Sequence, residues 1–193
     1  GHRKLVVDRL VVQTCKPLDE AQRSVLEAIE SGPRGSMGLV GPFGIWVRSP
    51  TIGQMVQSLG SAVRFETSLA EDVKEVAICT VGTHYHAKFE FAAHQRLARH
   101  AGVSEAVIEA LQLGIDPQFD TPALTASYRI ARGLLNDHRL DDETYSAGID
   151  VFGESGLIEL VSVIGYYCLV SLTLNAFEVP ITENMTDPFP DFR

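Results

Sequence analysis

Cysteine is scarce in this chain of 193 residues: there are three, Cys15, Cys79 and Cys168, and no two form a C-x-x-C pair or a metal-ligand spacing. An odd number of widely separated thiols gives no disulfide framework, so the simplest expectation is a reduced protein of the cytoplasm. Positive charge is also short. Lys and Arg number 16 against 25 Asp and Glu, the net charge is -9, and no basic cluster reverses this locally. Nucleic acids and anionic membrane surfaces attract positive patches, so neither is an expected partner. No secretory signal stands at the N-terminus. With 45% hydrophobic and 21% charged residues, the composition is that of an ordinary globular domain, and one domain over 1–193 is expected, with a core from about 18 to 180.

The run from Leu160 to Phe177 has eighteen residues without a charge, long enough for a membrane span. Ser162, Tyr166, Tyr167, Ser171, Thr173 and Asn175 are scattered through it, and no basic residues flank it. It reads better as a core helix.

The patterning predicts an all-α fold. Leu18, Ala21, Val25, Leu26 and Ile29 have amphipathic helical spacing that stops at Gly32-Pro33, and a glycine-rich loop follows to Gly44. Ser49-Pro50 reads as an N-cap with proline at the first helical position. Ser68 to Glu71 reads as a capping box opening a run through Thr80, with Gly82 as its interruption. Further helices are predicted up to Gly102, from Ser104 to Gly114, from Thr121-Pro122 through Leu135, from Asp141 through Ile149, and from about Ser155 to Phe177. The tail from Pro180 should be extended, and Lys4 to Cys15 fits neither period. Glu75 ahead of Gly82 and Glu159 ahead of Gly165 form a faint echo, consistent with two related halves.

The segment Glu75 to His94 carries the chemistry. His86, Glu90 and His94 stand at steps of four, one face of a helix, among Ala87, Phe89, Phe91 and Ala93. Glu75 lies upstream in an otherwise apolar run. Titratable groups in apolar surroundings are costly unless paired, which makes these candidates for acid–base work. The same stripe also fits a hydrogen-bonded Glu/His pair that only stabilises packing. A metal is a further reading, but H-E-x-x-H is absent and no Glu-x-x-His pair exists for a di-iron bundle, so no metal is assigned. Arg48, close to Trp46, is a candidate carboxylate clamp, and His84 and His86 add possible donors to a substrate.

Glu75-Val-Ala-Ile-Cys, Glu90-Phe-Ala-Ala-His94 and Gly102-Val-Ser104, in this order and spacing, resemble the carboxymuconolactone decarboxylase family. Gly41-Pro-Phe43 with Ser49-Pro50 and Gly165-Tyr-Tyr167 with Leu174-Asn-Ala-Phe177 resemble its flanking segments. The resemblance implies the all-α bundle of the alkylhydroperoxidase AhpD proteins, with about seven to nine helices. Peroxidase members carry a C-x-x-C pair at the positions of Ala87 and Glu90, so thiol peroxidase chemistry is not expected here.

What remains by resemblance is a lyase working without metal or organic cofactor on a small carboxylated lactone. His94 is then the acid/base, Glu90 its partner and Glu75 an auxiliary, with His84, His86, Trp46 and Arg48 around the substrate. A small organic acid is the expected partner, together with copies of the chain in a closed trimer or hexamer. The alternative is a non-catalytic, small-molecule-binding protein with the same fold.

Overall fold

The computed structural model describes residues 9–10, 17–35 and 38–193. Most of the ambiguous stretch Lys4 to Cys15, Cys15 included, lies outside these residues. The described residues form eight helices and no strand: α1 Glu20–Glu30, α2 Phe43–Trp46, α3 Pro50–Phe65, α4 Glu71–His84, α5 Lys88–His100, α6 Glu105–Leu113, α7 Pro122–Asp137 and α8 Asp142–Ala176. The all-α expectation holds.

Helix α4 is the centre. Every residue from Val73 to Thr83 is buried, because α5, α6, α7 and α8 pack around it. A helix covered on all sides must be apolar nearly throughout, which explains the weak amphipathicity of this stretch. Ile130, Leu160 and Val163 complete the layer between α4, α7 and α8. Val76, Phe91, Ile108 and Phe189 form a second apolar cluster under α6 and the C-terminal tail.

Several helix starts follow the local chemistry. The side chains of Ser104, Thr121 and Asp141 each accept a backbone N–H three residues on, as N-caps do. Asp19 and Gln22 form a capping box at α1 that the apolar pattern alone did not disclose. Ser49 does precede α3, with Pro50 in its first turn, but its hydroxyl makes no capping bond. Within the glycine-rich loop the chain makes the short buried helix α2.

Three boundaries differ from expectation. The Ser68–Glu71 capping box does not form: Ala70 is the N-cap of α4, and Ser68 donates its backbone N–H and hydroxyl to Glu159 of α8, each at 2.8 Å. Gly82 does not end α4. The helix continues to His84, and the break comes at His86, whose φ of 50° lies in the left-handed region. Gly82 instead lets α5 approach, since a Cβ there would stand 3.4 Å from both Glu90 and Phe91. The two helices expected from Asp141 and Ser155 form one run, broken at Gly153 with φ 73° and ψ 177°.

Helix α8 is long and apolar enough to cross a membrane by length and composition, yet half of its most apolar window is buried against the other helices. Leu157, Leu160, Val163, Ile164, Tyr167, Val170 and Leu174 face inward, while Ile158, Val161, Leu169 and Leu172 remain exposed. The tail beyond α8 has no helix and, where an extended run was expected from Pro180, makes several turns. The two halves of the echo differ in setting: Glu75 is buried, whereas Glu159 ties down Ser68.

Gly53 gives a test of the close packing between α2 and α3. A Cβ at this position would overlap the Trp46 carbonyl oxygen, a backbone atom that cannot move without disturbing α2. Gly53→Ala should therefore lower stability in chemical denaturation, although alanine in a helix normally gains about 1 kcal/mol over glycine. A stabilised Gly53→Ala protein would refute the contact.

Candidate functional site

Three helices each contribute a pair of residues four apart, and the six side chains meet in the interior. Helix α4 brings Glu75 and Cys79, α5 brings Glu90 and His94, and α8 brings Tyr167 and Ser171. Residues at this spacing share a helix face, so each helix presents two groups one turn apart. The reversal at His86 makes the arrangement possible, because it folds α5 back along α4.

His94 Nδ1 lies 2.7 Å from Glu75 Oε2. A carboxylate can only accept, so Nδ1 donates to Glu75 and Nε2 is the ring nitrogen left to exchange a proton. Among the described residues Nε2 has no hydrogen-bond partner, and it is not among the fully buried polar atoms that lack one; it keeps contact with solvent. The His94 side chain is 10% exposed against 3% for Glu75, so the pair opens outward at the imidazole end. The Tyr167 ring stands edge-on to His94 at 4.9 Å and helps hold it.

Glu90 does not pair with His94. It accepts a hydrogen bond from the Ser171 hydroxyl at one oxygen, while its other oxygen is buried without a partner. Burial pushes its carboxyl well above the ordinary 4.5, the Ser171 bond opposes this, and nearby Glu75 adds to it. Cys79 is fully buried, and burial followed by the fields of Glu75 and Glu90 raises its thiol well above the usual value. Such a thiol is not an activated nucleophile. Tyr167 is likewise raised, first by burial.

The expected His86–Glu90–His94 stripe is therefore broken. His86 precedes α5, in the connection, and stacks on Phe192 from the C-terminal tail with centroids 3.5 Å apart. It lines a cavity of about 570 Å³ together with His84. Trp46 is buried between Phe43 and Tyr166, and Arg48 is half-buried with Nη2 unpartnered. Neither they nor Glu75, Glu90 or His94 line this cavity or two smaller ones, of about 250 and 10 Å³. Among the described residues no three His, Cys, Asp or Glu side chains converge as metal ligands. Sequence reasoning placed Glu75, Glu90 and His94 together but exchanged the two acids. It passed over Ser171, whose signal was a hydroxyl inside an apolar run, and Arg132, Phe189 and Phe192, which wall the large cavity.

Comparison with family models and with curated proteins finds no match to this chain.

The setting of Glu90 has a pH consequence. A carboxyl whose folded value is raised holds its proton in the native state after the unfolded chain has lost it. Stability from this residue is then present below the ordinary carboxylate range and falls as pH rises through and above it. Glu90→Gln removes the ionisation at nearly constant shape. The variant should gain on wild type in denaturation midpoint from pH 4 towards pH 8; a constant difference across this range would contradict a raised Glu90.

Proposed function

We propose that this chain is a cofactor-free acid–base lyase of the carboxymuconolactone decarboxylase type, acting on a small carboxylated lactone or a related ring-derived acid. The observation that carries the reading is the Glu75–His94 bond with Nε2 left unpartnered. A carboxylate that orients an imidazole and leaves its second ring nitrogen free is the arrangement expected of a general acid/base. Loss of carbon dioxide breaks a carbon–carbon bond and leaves its electron pair in the conjugated system of the lactone. His94, protonated at Nε2, delivers a proton to the carbanionic carbon and is reprotonated by solvent. Glu75 takes the partner role that the sequence suggested for Glu90. Glu90 is a neutral neighbour that keeps a second negative charge away from Glu75. The order and spacing of the Glu75, Glu90-to-His94 and Gly102-Val-Ser104 motifs add support.

A second reading, a small-molecule-binding protein without catalysis, is favoured by one observation: the pair is nearly sealed, with the His94 side chain 10% and the Glu75 side chain 3% exposed. Turnover of 4-carboxymuconolactone, followed by its ultraviolet absorbance with and without a chelator, separates the two. The lyase reading expects chelator-resistant turnover that falls by about 10²–10⁴-fold in His94→Ala and substantially in Glu75→Gln. Full turnover by His94→Ala, or none by folded wild type, would end it and leave the binding reading.

The same reading takes the protein as a homo-oligomer, a trimer or hexamer in the cytoplasm. Ile52, Met55 and Leu59 lie uncovered on one face of α3, and Ile158, Val161 and Leu172 on α8. Light scattering should report an assembly that Met55→Glu or Leu172→Glu reduces to the monomer; a monomeric wild type would remove this part of the proposal.

A further inference from the structure

The cavity of about 570 Å³ has no part in the acid–base centre. Its walls include His84 at the end of α4, His86 in the connection, Gln112 of α6, Arg132 and Asn136 of α7, and Phe192 of the C-terminal strap. The volume of about 570 Å³ is in the range of small-ligand sites. The strap is pinned at Asp187, Pro188 and Phe189. Lys88 pairs with Asp187 at 2.7 Å, Gln112 donates to the Pro188 carbonyl at 3.1 Å, and buried Phe189 packs on Phe91. Its tip is less fixed: Phe192 is 49% exposed and lies flat on His86.

Charge selects the ligand. Arg132 is half-buried beside the Tyr128 hydroxyl, which donates to Asp116 at 2.6 Å, and among the described residues no carboxylate lies within ion-pair distance of the guanidinium. A guanidinium held this way in a concave wall is a natural carboxylate receptor, able to bind both oxygens. The amide of Asn136 is a further donor on the same helix. The histidines add little charge. Burial lowers His84, with Arg132, His86 and His138 lowering it further, and burial lowers His86. One lasting positive charge against the exposed Asp191 on the rim suits a monoanion better than a dianion such as phosphate. Leu113, Pro188, Phe189 and Pro190 supply apolar wall for the body of the ligand.

We propose that this cavity binds a small aromatic monocarboxylate, with its carboxylate on Arg132 and its ring against the Phe192–His86 stack. This site does not depend on the lyase reading, since no residue of the Glu75–His94 pair contributes to it.

Calorimetric titration of the full chain with benzoate, its neutral isostere benzamide and inorganic phosphate tests the assignment. Benzoate should bind wild type and His94→Ala equally, and benzamide and phosphate should bind at least about tenfold more weakly, the scale of a lost charge-assisted pair. Arg132→Gln should weaken benzoate at least about tenfold by the same pair, with circular dichroism as the check on its fold. Phe192→Ala, which removes only a half-exposed side chain, should weaken it several-fold. No heat with benzoate in folded wild type, equal binding of benzamide, tighter binding of phosphate, or unchanged affinity in both Arg132→Gln and Phe192→Ala would each overturn the proposal.

Discussion

The bond between Glu75 and His94 is the constraint around which the interior is arranged. A carboxylate on a helix covered on all sides has no water to turn to, and its desolvation must be offset by a partner in place. Among the described residues the imidazole that reaches it comes from α5, so α5 must run back along α4 in one register. That register fixes the neighbour of His94 one turn away, Glu90, inside the same layer. With Glu75 already occupying the imidazole, Glu90 has only the Ser171 hydroxyl of α8, and its second oxygen is stranded. The Glu75–His94 bond thus ties α4 to α5, the Ser171–Glu90 bond adds α8, and burial of Glu90, with Glu75 nearby, pushes its carboxyl towards the neutral form.

The two regions rich in histidine do different work because a single residue separates them. His86 takes a left-handed conformation that ends the approach from α4, and its ring turns to the aromatic side chains of the tail. His84 and His86 face an open cavity with an arginine that has no salt-bridge partner among the described residues; from Glu90 to His94 the groups face a closed interior with two acids. An open cationic cavity selects ligands by charge and shape. A closed polar cluster sets protonation states, and its one outward atom, Nε2 of His94, is the point where it can meet another molecule.

Much of the fold was legible because local signals and burial agreed. Ser104, Thr121 and Asp141 were readable as helix starts, since a capping side chain acts within three residues of itself. Ser68 misled for the opposite reason: Glu159, distant in sequence, offered both of its oxygens and outcompeted the local box. Gly82 carried the helix-breaking signal of any glycine, but its lack of a Cβ serves the close passage of α5.

By itself the sequence determined the all-α class, most helix boundaries, and the fact that Glu75, Glu90 and His94 belong to one buried cluster, because periodicity and the scarcity of charge in apolar runs are properties of short segments. The tertiary structure decided which acid holds the imidazole, that Ser171 reaches Glu90, and that the tail forms one wall of a cavity with His86 and Arg132. Those outcomes depend on interhelical register and on the angle of one reversal at His86, which no residue encodes within its own neighbourhood.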